Sequence, residues 1–207
     1  MYFLIANISR SFYSRSRTTV AASVVNASEN PEDIVGFDTL AGKRSAVDGN
    51  SSWKMRPIDG LTMKPIRPVP HEDGTLVEVG RAAWPEFTDP IVQVHVTTTL
   101  PGRIRAWGLH QRSTDRLFVV RGLVSVVVYD GRRKSASFGT VNEFKISERN
   151  PAVIVIPPNI YHGWKNIGTS EAFIINMPSQ QYNYDDPDAL DLPYDREDAP
   201  QLVPWRW

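Results

Sequence analysis

The 207-residue chain contains no cysteine, which excludes disulfides, zinc–thiolate centres and thiol nucleophiles. No apolar run approaches the roughly 20 residues that a membrane-spanning helix needs. Neither sign of charge is in excess: Lys and Arg together number 23, as do Asp and Glu. A broad electrostatic footprint for nucleic acid or an anionic membrane is therefore not expected. A reducing, cytoplasmic setting fits the missing thiols. There is no internal repeat, no low-complexity tract and no convincing amphipathic helix before the C-terminal tail.

Residues 1–57 do not read as part of a packed domain. Residues 1–28 carry Arg10, Arg15 and Arg17, many Ser and Thr, and no acid before Glu29. That composition suits an organelle transit peptide, and equally a disordered leader or sequence upstream of the true start. Residues 29–57 have no periodicity and read as a linker.

From Leu61 the character changes. LTMKPIRPV reads as an edge strand, because Pro65 and Pro68 cannot donate to a central ladder. Short β-branched runs follow: TLVEV, IVQVHVTTT, RIRAWGL, RLFVV, LVSVVVYD, FGTVNEFKI, AVIVI and EAFIINM. Such spacing predicts an all-β sandwich or barrel over 58–180. Arg121-Gly122 reads as a hairpin turn and Asp130-Gly131 as a strand end. Arg132, Arg133 and Lys134 then read as a solvated tip. In IVQVHVTTT, Gln93, His95, Thr97 and Thr99 share one face, and Val92, Val94 and Val96 the other. The apolar face is expected to be buried. The polar face then meets solvent or a wet cavity. Residues 181–207 are acidic, Pro-rich and finally aromatic. They read as an irregular extension with at most a helical turn, packing on the barrel or on a partner subunit through Trp205 and Trp207.

Only four histidines occur. Two fall in a pattern. Gly102–Gly122 resembles the first cupin motif, with Gly108 in place of its first His, His110 as its second, Asp115 at the carboxylate place and Gly122 closing it. PPNIYHGWKN resembles the second cupin motif through Pro157, His162 and Asn166, with Asn159 where glycine is usual. A cupin-type double-stranded β-helix, or jelly roll, is the fold this implies. His110, Asp115 and His162 then converge on its cavity.

The chain further resembles the dTDP-4-dehydrorhamnose 3,5-epimerase family, a branch of the cupins, over roughly 58–195. GTLVEV at Gly74, QVHVTTTLPGRIRAWGLH, VVVYDGRRKSASFGT, VIVIPPNIYHGW and LPYD match that family's segments in order. The resemblance implies epimerisation of a nucleotide-diphosphate-linked 4-keto-6-deoxy sugar at carbon 3, carbon 5 or both. It implies a homodimer and no cofactor. His110 and Asp115 are the implied catalytic residues, with His162, Gln93, His95, Trp107 and Glu78 against the substrate. A neutral imidazole suits removal of a proton flanking a ketone.

Several family positions are changed. Trp107 replaces the Arg before Gly-Leu-His, Asp115 stands where the family has a Lys beside the enolate, and His95 replaces an Asn. Ungapped counting puts Ile175 at the place of the Tyr acid, which leaves Tyr161, Tyr182 and Tyr184 as substitutes. Two other functions use the same residues. His110, Asp115 and His162 form a two-His, one-carboxylate set suited to a divalent metal, with His95 as a further ligand, in an oxygenase or isomerase. A barrel that binds a sugar without turnover is the other.

Overall fold

The computed structural model describes residues 56–207; the leader and linker expected over 1–57 lie almost wholly outside the described residues. In chain order the strands are β1 (Thr62–Pro65), β2 (Val69–His71), β3 (Gly74–Leu76), β4 (His95–Thr99), β5 (Ile104–His110), β6 (Asp115–Arg121) and β7 (Leu123–Tyr129). They continue with β8 (Val141–Ser147), β9 (Ala152–Ile156), β10 (Tyr161–Asn166), β11 (Ala172–Asn176) and β12 (Ala189–Asp191). A 3-10 turn covers Pro85–Phe87, and one four-residue helix, α1, covers Ala199–Leu202. Among the described residues, no helix is long and apolar enough to cross a membrane.

Two antiparallel five-stranded sheets face each other, in the orders β1-β9-β6-β11-β4 and β12-β5-β10-β7-β8, beside a small β2-β3 ribbon. This is the jelly-roll architecture expected. β1 is an edge strand, in keeping with Pro65 at its end and Pro68 just beyond it. The hairpin expected at Arg121-Gly122 is corrected: β6 and β7 lie in different sheets and do not pair, so this tight turn carries the chain from one sheet to the other. Gly122 has φ 97°, and a Cβ there would lie 2.8 Å from the Ala172 backbone, so only glycine fits. β12 lies in the tail, where the sequence predicts only irregular structure. β12 is three residues long and forms by pairing with β5, Ala189 opposite His110 and Asp191 opposite Gly108.

The core between the sheets is built from the β-branched runs, with Leu117, Val126, Ile146, Ile154 and Ile174 among its buried members. It fills one end of the barrel and leaves the other open. A second cluster, Phe87, Phe118, Val153 and Met177, covers part of the outer face of the first sheet. A third seats the C-terminal tail on the outer face of the second sheet. There Trp107 lies 5.1 Å from Trp207, ring centre to ring centre.

Two surface expectations are corrected. Arg132 is not a solvated tip: its Nε donates to Asp130 Oδ1 at 2.9 Å, and Nη2 reaches the Asp59 carbonyl at 2.7 Å. Ser137 Oγ donates to the other Asp130 oxygen at 2.6 Å. Asp130 is fully buried. Burial alone would push its carboxyl up, but these donors hold it well below the usual carboxylate range. The apolar face of β4 is also not buried. Val94 and Val96 are 58% and 57% exposed, because β4 is a sheet edge and the outer cluster stops short of it.

Candidate active site

The open end of the barrel holds a cavity of about 450 Å³. Gly108 and His110 of β5 face it, and a bulge at Trp107 brings Arg105, opposite Trp164, onto the same side. Asp115 opens β6, and His162 lies on β10 opposite Gly108. Both sheets therefore contribute to one site.

His110 Nε2 lies 3.2 Å from Asp115 Oδ2, and His162 Nε2 lies 3.4 Å from the same oxygen. The imidazole rings stack with centres 5.5 Å apart. Asp115 is 3% exposed. Its burial disfavours charge, yet hydrogen bonds to His110 and His162 hold it ionised, far below the usual carboxylate range. Burial likewise opposes a charge on His110, but Asp115, then Asp188 and Asp191, outweigh it and raise its pKa above the ordinary 6.5.

His162 Nδ1 is 3.1 Å from the Ile160 carbonyl. A carbonyl only accepts, so this contact calls for a proton on Nδ1, and Nε2, turned to Asp115, donates to it only when the ring carries a second proton. Asn159, in the glycine place of the second motif, adopts φ 63° and donates its backbone N–H to the His110 carbonyl at 2.6 Å. Asn is among the few residues that tolerate this conformation.

Asp188 is a site residue that the sequence did not single out. Its carboxylate accepts from the backbone N–H groups of Gln111, Arg112 and Ser113. It also stands 3.8 Å from His110 Nδ1. It thus pins the loop joining the two motif residues. Its signal was the Pro187-Asp188 step in the acidic tail, but only the pairing of β12 with β5 brings it there.

The remaining expected residues divide. His95 and Thr97 line the cavity, which settles the polar row of β4 in favour of the interior. Thr99 is buried on the same face and accepts from Trp164 Nε1. Trp107 is corrected: it points away from the cavity and is 2% exposed beneath the C-terminal tail. Gln93 does not line the cavity; its Oε1 accepts from the Tyr182 backbone at 2.8 Å. Glu78 lies off the cavity too, paired with Arg81 at 2.7 Å.

Ile175 is likewise turned outward, onto the Phe118 cluster, while its neighbours Ile174 and Asn176 face in. The register of β11 against β6 shifts there because β6 carries an extra residue, Val120, while β11 runs regularly along β4. Tyr161, Tyr182 and Tyr184 do not line the cavity. Tyr194, in LPYD, does, and it is the one tyrosine of the lining among the described residues. Arg105 is likewise its one Arg or Lys, with the guanidinium 5.9 Å from the Trp164 ring centre.

Comparison with known proteins agrees with this geometry. The chain matches the dTDP-4-dehydrorhamnose 3,5-epimerase family over residues 65–196. It is 34% identical over 142 residues to "Probable low-salt glycan biosynthesis epimerase Agl13" of Haloferax volcanii, covering 68% of this chain and 91% of that protein. The crystal structure of a dTDP sugar isomerase from Desulfovibrio desulfuricans aligns with TM-score 0.66 at 25% identity, over 72% of this chain and 92% of that one. ChmJ, a 3'-monoepimerase from Streptomyces bikiniensis solved in complex with dTDP-quinovose, shares the fold at 18% identity with TM-score 0.62, over 73% and 77% of the two chains. These relatives do not favour the metal-dependent or the non-catalytic function. A family match over more than half of the chain, joined to an epimerase relative of this identity and coverage, means that the chain belongs to the dTDP-4-dehydrorhamnose 3,5-epimerase family and is an epimerase.

Proposed function

We propose that this epimerase acts on a dTDP-linked 4-keto-6-deoxy sugar, inverting carbon 3, carbon 5 or both. The observation that carries the reading is His110, set in the cavity with Asp115 3.2 Å from its Nε2. Protons on the carbons flanking a ketone are acidified. Neutral His110 removes one, an enolate forms, and a proton returns on the opposite ring face. These are proton transfers alone and call for no organic cofactor.

Asp115 stands where the family carries a Lys. It gives no cationic help to the enolate, an effect worth about 3–4 kcal/mol when a preorganised donor supplies it. It acts instead on the base, since its carboxylate makes His110 more basic. Tyr194 takes the donor role vacated at Ile175, reaching the cavity from the C-terminal segment. Arg105 meets the diphosphate, and His95, Thr97 and His162 contact the sugar. ChmJ with its dTDP-quinovose, on the same fold, supports this substrate class.

The working unit in this reading is a homodimer. Val92, Val94 and Val96 form an exposed apolar row on the outer face of the β4 edge. A contiguous apolar surface of this kind marks an interface. Proton exchange in heavy water tests the chemistry. Metal-free protein with a dTDP-4-keto-6-deoxy sugar should wash out the carbon 3 or carbon 5 proton, and His110→Ala should not.

A further inference from the structure

With each imidazole neutral and its proton on Nδ1, His110, Asp115 and His162 present three electron pairs to one point. His162 Nδ1 is committed to the Ile160 carbonyl, which leaves Nε2 as the free lone pair of the neutral ring. His110 turns its Nδ1 toward Asp188 at 3.8 Å and its Nε2 toward the same Asp115 oxygen that faces His162. One ligand atom from each residue lies within 4.8 Å of the others. Three acceptors cannot share so small a space without something electropositive among them. Protons can serve, and so can a cation.

The distances suit a cation. Two ligands about 2.0–2.2 Å from a tetrahedral metal stand about 3.3–3.6 Å apart. The histidine–Asp115 separations are 3.2 and 3.4 Å. A carbonyl or carboxylate behind the second ring nitrogen is also the usual support of a metal-bound imidazole. The lining adds Asp191 and Asp195 to Asp115 against the single Arg105, so the wall favours positive charge. Gly108 leaves the approach to His162 open: a Cβ there would lie 3.3 Å from its Nε2.

We propose that His110 Nε2, His162 Nε2 and Asp115 Oδ2 form a binding site for a divalent transition-metal cation of mixed nitrogen and oxygen preference, with Zn2+ as its representative. The site stands on geometry alone. Its consequence rests on the epimerase reading above: a bound ion takes the lone pair that His110 needs as base, so ion and proton transfer exclude each other. The cation is an inhibitor of the proposed reaction.

The test uses the full-length protein stripped with chelator, and reads binding apart from turnover. Calorimetric titration with Zn2+ should give one ion per chain, and Co2+ should develop visible ligand-field bands. Asp115→Asn and His162→Gln should each weaken binding by roughly tenfold or more. Gly108→Ala, which keeps every ligand but crowds His162 Nε2, should weaken it as well. His71→Gln, on the exposed β2 strand, should not. No binding, or binding unchanged in Asp115→Asn, His162→Gln and Gly108→Ala, overturns the site. Proton exchange by the stripped protein tests the epimerase reading by itself. Exchange that falls in step with Zn2+ occupancy supports the exclusion, and exchange undiminished at one bound ion per chain overturns it.

Discussion

Asp115 Oδ2 lies 3.2 Å from His110 Nε2, inside a cavity whose mouth is closed on one side by the segment after β12. The pairing joins two residues of one motif across the turn between neighbouring strands. It raises the pKa of the imidazole, and in the proposed reaction it leaves an enolate without the family's lysine. The predictions below follow from that exchange and from the residues around it.

Tyr194→Phe separates the two halves of the proposed reaction. His110 still removes a proton, so washout in heavy water should persist. Return on the opposite face loses its donor, so net epimerisation should fall by about 10²-fold or more. Following exchange and stereochemistry in one NMR time course checks this. An unchanged ratio of the two would remove Tyr194 from the donor role.

Trp107 separates a structural role from a substrate contact. It is buried against Trp207 and the tail cluster, so Trp107→Ala should cost about 3–5 kcal/mol of stability. At temperatures where the variant is folded, KM should stay near that of the parent protein. Denaturant unfolding and steady-state kinetics together read both.

Asp130 gives a pH dependence with a definite sign. Its folded pKa is depressed below the ordinary 3.8, so its contribution is present above that value and lost as pH falls through and below it. Stability should therefore drop from about pH 5 downward, and less steeply in Asp130→Asn. At pH 7, Asp130→Ala should cost about 2–3 kcal/mol, because Arg132 and Ser137 lose a buried acceptor. Thermal unfolding across the pH range checks both statements.

Val96→Glu places a charge on the exposed apolar row of β4, opposite Ile175 in the ladder. With a homodimer joined through this face, the variant should run at half the parent mass in analytical ultracentrifugation and remain folded by circular dichroism. A parent protein that sediments as a monomer would contradict the dimer.

Much of the fold was legible because β-branched runs and turn residues agree. Pro65 and Pro68 mark an edge, and the structure has it; Arg121-Gly122 marks a turn, but one that crosses between sheets where a hairpin is expected, because turn residues alone do not say which strands pair. The histidine site was legible because two motifs arrive in order. What failed has physical causes. Trp107 was placed on the substrate by matching a family position, although counting in twos from His110 already turns it outward. Ungapped counting to a family position lands on Ile175, but alternation along β11 turns it outward while Ile174 and Asn176 face in. Asp188 and Tyr194 lie on a segment with no strand periodicity of its own, ordered by pairing with β5. The exposed valines carry a core pattern that a single chain does not bury.

The most direct measurement is proton exchange by chelator-stripped protein in heavy water, with a dTDP-linked 4-keto-6-deoxy sugar as substrate. The account predicts loss of the carbon 3 or carbon 5 proton signal well above the enzyme-free rate, reduced about 10²–10⁴-fold in a folded His110→Ala variant. No exchange by the parent protein, or equal exchange in His110→Ala, would contradict it.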